Sequence, residues 1–221
     1  MTARFARHSA LPAWLFALAL ATLALMPDAA KAADPALVPG VDYAEIPGGT
    51  RLGPDDGKVE VVEVFGYWCH HCADFAPMLE NWKHERRNDV RVTYLPLPRG
   101  QDDALAAAFF ASRKLDSLSR THDATFRAIH GERLLPRNPT VDEIATFYAS
   151  LGVDAARLKA AMASSEVQER LPEAREFAIG SGVEGTPTLI VNGRYRVIGR
   201  SLEDVLRIAD ALVARERAAA R

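Results

Sequence analysis

The chain contains two cysteines, Cys69 and Cys72, held apart by His70 and His71. Thiols at this spacing can close a disulfide that staples the fold, share a metal ion, or cycle between dithiol and disulfide. A bridge over so short a loop constrains the unfolded chain little, which argues against a staple. Structural zinc takes a second ligand pair at defined spacing, and His84, His122 and His130 do not supply one. These three are read as surface histidines, and no metal is expected. Redox cycling remains.

The elements around the pair decide how it would work. Val59 to Phe65 reads V-E-V-V-E-V-F, a strand. Gly66 breaks it. Beyond the cysteines, Phe75, Met78, Leu79 and Trp82 fall on one face of a helix. The thiols therefore sit where a buried strand hands over to a helix, the setting of a C-x-x-C redox site. Unpaired N–H groups and the positive end of the dipole gather there. They stabilise a thiolate, so Cys69, the more N-terminal cysteine, is expected to have a lowered pKa. His70 and His71 add donors, and positive charge when protonated.

At 221 residues, 48% apolar and 25% charged, the chain can bury a core for one or two domains. A net charge of −2 implies no nucleic-acid partner. Arg4 and Arg7 precede an apolar run, Ala13 to Met26, that is short for a membrane span. Ala30-Lys31-Ala32 then offers a cleavage site. Residues 1–32 are expected to be a cleaved signal peptide, and 33–57 a Pro- and Gly-rich N-terminal extension. In an exported protein, many cysteines would suggest a disulfide framework, whereas two at this spacing suggest a catalyst.

Along the rest of the chain, Tyr43 to Ile46 reads as a short strand and Val90 to Leu97 as a longer one. Residues 102–182 are helical throughout, with a capping box at Thr140 to Glu143 and an interruption at Pro172. Strand character returns at Thr188 to Val191. Asn192-Gly193 makes a hairpin turn to Tyr195, and Ser201 opens a last helix. A β–α–β half and a β–β–α half can share one sheet covered by helices on both faces.

These residues resemble the thioredoxin superfamily, and within it the DsbA branch. The matching pieces are E-V-F-G-Y-W-C-H-H-C from Glu63 to Cys72, the helix proline Pro77, and G-T-P-T-L-I-V-N-G-R-Y from Gly185 to Tyr195. The resemblance implies an α/β thioredoxin fold, a central mixed sheet flanked by helices. Residues 58–101 and 183–221 would form it, with 102–182 as an inserted all-helical subdomain. Cys69 would be the nucleophile and Cys72 the buried resolving cysteine. Glu63 would be the buried acid beneath them, and Thr186-Pro187 a cis-proline loop that faces them and offers its backbone to substrate. Alternation sets Glu63 on the face of Val61 and Phe65, where burial would raise its pKa and let it shuttle the proton of Cys72. His71 would stabilise the thiolate by hydrogen bond or charge, and His70 is a further candidate. Two departures stand out: His70 replaces the usual proline of C-P-H-C, and Thr186 replaces a frequent valine. Tyr67 and Trp68 either line a substrate groove or pack.

By the same resemblance the chain is a monomeric periplasmic disulfide oxidase. It has no cofactor beyond a redox-active Cys69–Cys72 disulfide. Its clients are unfolded exported proteins with free thiols, and a membrane quinone-linked partner of the DsbB type reoxidises it. The alternatives are an isomerase or reductase on the same fold, or a peptide-binding chaperone or metal-binding module in which the cysteines are incidental. Isomerases of the superfamily usually carry an N-terminal dimerisation domain, and Ala33 to Lys58 is too short for one.

Overall fold

Strand β2, Val59–Phe65, is buried along its whole length. Val59 and Val61 face one apolar cluster, and Val62 and Val64 face another. A strand covered on both faces needs apolar residues at nearly every position, which is why valine dominates here. Each buried valine contributes about 1.5–3 kcal/mol, so a charge at position 62 would have no wet face to turn to. The computed structural model describes residues 36–220. The expected signal peptide and the first residues of the extension lie outside them.

Five strands form one mixed sheet in the order β1-β5-β4-β2-β3. Strand β1 is Tyr43–Glu45, β3 Val90–Pro96, β4 Thr188–Val191 and β5 Tyr195–Val197. Strands β2 and β3 run parallel, joined by helix α1, His70–Glu85, and the other pairs are antiparallel. Phe75, Leu79 and Trp82 of α1 are buried against Val61, Leu189 and Val191, together with Ile208 and Leu212 of the last helix, α7 (Leu202–Ala219). Pro77 lies on the exposed side of α1, and the helix runs through it. Trp82 Nε1 donates to Asp210 at 2.9 Å, which fastens α1 to α7.

Between β3 and β4 the described chain holds helices and no strand. They are α2 (Ala104–Lys114), α3 (Leu118–Phe126), a π-helical turn (Arg127–Gly131), α4 (Val141–Ser150), α5 (Ala155–Met162) and α6 (Ser165–Gly180). The capping box forms as expected: Thr140 accepts from Glu143 N at 3.2 Å, and Glu143 accepts from Thr140 N at 2.7 Å. The expected interruption at Pro172 does not occur. Helix α6 is continuous through it, because Val167, Leu171, Ala174 and Ala178 keep one buried stripe across the proline. Tertiary packing outweighs the lost hydrogen bond.

At the β4–β5 hairpin, Asn192 and Gly193 have φ of +54° and +69°, the left-handed region that turn chemistry predicts for an Asn-Gly pair. Gly193 is required twice over. A Cβ there would lie 2.4 Å from the carbonyl oxygen of Thr50.

Candidate active site

Cys69 is the N-cap of α1, in extended backbone, and its Sγ accepts from Cys72 N–H at 3.4 Å. Both cysteines are free thiols. Cys69 keeps 7% of its surface accessible and Cys72 none. The Cys69 thiol also donates to the carbonyl oxygen of Thr186 at 3.2 Å. That residue precedes Pro187 through a cis peptide bond. So the structure brings together the cysteine pair and the Thr186-Pro187 loop, from opposite ends of the chain.

The two thiols have opposite acidities. The Cys69 pKa falls to about 5, chiefly because its thiolate accepts a hydrogen bond from the Cys72 thiol. The Thr186 side chain and the N–H groups of Cys72 and His71 add to this, against the opposing effect of partial burial. Burial pushes the Cys72 thiol far up. One thiol is ready to be a thiolate at neutral pH, and the other holds its proton.

Glu63 lies in β2 with 1% of its surface accessible, and neither carboxylate oxygen has a hydrogen-bond partner. Burial, with a smaller contribution from the nearby charges of Glu80 and Cys69, raises its pKa to about 8. It is therefore a neutral acid at pH 7. The expectation that Phe65 shares its face needs amending. Phe65 ends the strand and packs with Val62 and Val64 under the helices, edge-on to Tyr67, Tyr94, Phe109 and His122.

His70 and His71 are both exposed on the first turn of α1, with ring centroids 3.9 Å apart. The sulfur accepts its backbone hydrogen bond from Cys72, and neither imidazole bonds to it. Trp68 is half-buried, its indole laid over Gly66 and under the Arg99 guanidinium at 5.8 Å. A Cβ on Gly66 would stand 2.5 Å from that indole, so the strand-breaking glycine is also the space Trp68 occupies.

The surface reading holds for His84, which is exposed, and fails for two other histidines. His122, on α3, is buried among the rings of Phe65, Tyr67, Tyr94, Phe109 and Phe126. Its Nδ1 shares a 2.9 Å hydrogen bond with Tyr67 OH, and burial lowers its pKa to about 4. His130, in the π-helical turn, is half-buried and donates from Nε2 to the Tyr67 carbonyl at 2.7 Å. Both histidines thus hold the residue two places before the nucleophile. Spacing along the chain gave no sign of this, because the contacts span 55 and 63 residues. Tyr94 was missed likewise. It pairs with Glu63 in the β2–β3 register and hydrogen-bonds Glu80, which also takes Lys83 at 2.6 Å.

An acidic thiol in front of a proton-holding one, on a mixed sheet at the head of a helix, is equipment for thiol–disulfide exchange. The comparisons agree. A thioredoxin family model matches residues 45–211. The thiol:disulfide interchange protein DsbA of Pseudomonas aeruginosa is 35% identical over 208 residues, 91% of this chain and 95% of that protein. Its counterpart from Bordetella pertussis is 32% identical, covering 73% and 78%. The crystal structure of the oxidoreductase DsbA from Xylella fastidiosa superposes with a TM-score of 0.78 at 46% identity, covering 82% and 98%. The chain belongs to the DsbA family of thiol:disulfide oxidoreductases, within the thioredoxin fold.

Proposed function

We propose that this oxidoreductase works as a disulfide donor to exported proteins in the periplasm. The observation that carries the direction is the contrast between the two thiols. A low-pKa Cys69 is a good leaving group and a stable thiolate, so the dithiol form is favoured and the disulfide is a strong oxidant.

The geometry supports the following steps. A client thiolate attacks Sγ of Cys69 in the Cys69–Cys72 disulfide. The client–Cys69 bond forms and Cys72 leaves with the electron pair. Cys72 is buried and its pKa is high, so it must take a proton. Glu63, neutral, unpartnered and close enough for its charge to act on Cys72, is the donor. A second client thiolate then attacks the client sulfur of the mixed disulfide, and Cys69 departs as thiolate. The client gains one disulfide, and the enzyme ends as a dithiol. The Thr186 backbone, half-buried beside Cys69, offers an extended client segment strand-like pairing.

Turnover then needs an electron acceptor. The family membership supports a membrane-bound, quinone-linked partner of the DsbB type, with no bound cofactor in this chain. It also supports a cleaved signal peptide in residues 1–32 and action as a monomer. The domain division into 58–101 with 183–221, and an inserted 102–182, is our reading of the element order.

The test is the equilibrium between enzyme dithiol and glutathione disulfide, read alongside oxidation of a reduced, unfolded client. We expect the equilibrium to lie strongly toward the enzyme dithiol, with stoichiometric oxidation of the client. An enzyme disulfide that resists glutathione would overturn the donor assignment.

A further inference from the structure

The first turn of α1 carries more ligand chemistry than thiol exchange uses. His70, His71 and Asp74 are all exposed, and one donor atom from each lies within 4.8 Å of the others. Helical geometry accounts for this. Positions 70 and 74 are neighbours at i, i+4, and 71 and 74 at i, i+3, so one patch of surface holds all three. Among the described residues, no other group of three His, Cys, Asp or Glu side chains converges this closely. Among the described residues, none forms a hydrogen bond or ion pair with any of these three side chains, and the two imidazole rings lie against each other.

We propose that His70, His71 and Asp74 form a three-ligand site for a borderline divalent transition-metal ion of the Zn²⁺, Co²⁺ or Ni²⁺ class. Two imidazoles and a carboxylate suit these ions, whereas Ca²⁺ and Mg²⁺ prefer sets built of oxygen. Three protein ligands leave a fourth position open to water. Bonds of about 2.0–2.2 Å require the three donors to close in further. Being exposed and unengaged, these side chains can rotate without breaking a hydrogen bond. The helix N-terminus opposes a cation, and the Asp74 carboxylate offsets it. The expectation of no metal considered the cysteines as ligands. This site uses neither sulfur, so it is available to the disulfide form.

That last point gives the test. The untagged chain, with Cys69 and Cys72 tied in their disulfide, is titrated with Zn²⁺ by calorimetry. A parallel Co²⁺ titration is followed by broadening of backbone amide resonances. We expect one ion per chain, with broadening centred on residues 70–74. Asp74→Asn and His70→Asn should each weaken binding about tenfold or more, as loss of one of three ligands implies. His84→Asn, an exposed histidine further along the same helix, should leave it unchanged. Binding that requires free thiols, survives both ligand substitutions, or fails to saturate overturns the site. Because the readout is binding to the disulfide form, such a failure leaves the thiol-exchange reading untouched.

Discussion

The sulfur of Cys69 and the carbonyl oxygen of Thr186 lie 3.2 Å apart across 117 residues of sequence. The bond exists only while Cys69 keeps its proton, because a thiolate has nothing to donate. The Thr186 side chain acts the other way and lowers the Cys69 pKa. Thr186→Val deletes the hydroxyl and keeps the carbonyl. The Cys69 pKa should therefore rise above about 5, as read from the ultraviolet absorbance of the thiolate during a pH titration. An unchanged pKa would show that the hydroxyl has no part.

The roles of the two cysteines separate by trapping. Cys72→Ala removes the thiol that would release a client from Cys69, so mixed disulfides should accumulate. Cys69→Ala leaves only a buried thiol and should trap none. Gel analysis of clients under non-reducing conditions distinguishes them, and equal trapping would reverse the assignment.

The dithiol form should be more stable than the disulfide form at pH 7. Cys69 has a folded pKa of about 5 against an unfolded value near 8.5. A depressed pKa adds stability that is complete above the unfolded value and lost as pH falls through the folded one. After allowance for solvent screening this is about 1–2 kcal/mol at pH 7. The short loop closed by the disulfide offers little in return. Thermal unfolding of both forms should show the gap at pH 7 and its loss near pH 4. A gap that persists in acid would remove Cys69 as its cause.

Glu63 acts with the opposite sign. Its folded pKa of about 8 lies above the unfolded value, so its stability is present in acid and lost as pH rises toward 8. At pH 7 the wild-type chain bears a cost of about 3 kcal/mol for keeping this acid protonated. Glu63→Gln should recover most of it at pH 7 and little at pH 4. The same change should slow client oxidation, because the proton donor for Cys72 is gone. Denaturant titrations at the two pH values check the first effect and stopped-flow oxidation the second. A variant with no gain at pH 7 would mean that Glu63 is charged in the fold.

His122→Phe keeps the ring and leaves Tyr67 OH without its partner. The loss should be about 1–3 kcal/mol at pH 7. His122 has a folded pKa of about 4, below its unfolded value, so its own contribution fades as pH falls from neutrality toward 4. The difference between wild type and variant should shrink over that range. A variant of equal stability at pH 7 would show that aromatic packing alone holds Tyr67.

What could be read in advance was whatever sat close together along the chain. The Cys69–Cys72 spacing, the Asn192-Gly193 turn and the Thr140–Glu143 cap are each settled within a few residues. So is the switch from strand to helix at Gly66. Pro172 misled because the packing of α6 decides its fate and the local propensity does not. His122 and Tyr94 were illegible for a related reason. A polar residue on a mixed segment reads as surface until another element is known to cover it. Here α3 supplies the histidine, and β2 and the loop after it supply the aromatic walls. Glu63 could be read because its strand was apolar at nearly every other position. The cover over His122 comes from five rings spread between residues 65 and 126.

Tyr67 is fastened at both ends to the helical segment, its hydroxyl to His122 and its carbonyl to His130. A protein engineer wishing to shrink this enzyme to its sheet and flanking helices would therefore meet an obstacle. Excising residues 102–182 would unmoor the very loop that aims Cys69, and would strip the cover from Phe65 and Tyr67. The helices are the mounting of the reactive centre, and the C-H-H-C sequence grafted onto a smaller scaffold would arrive without it.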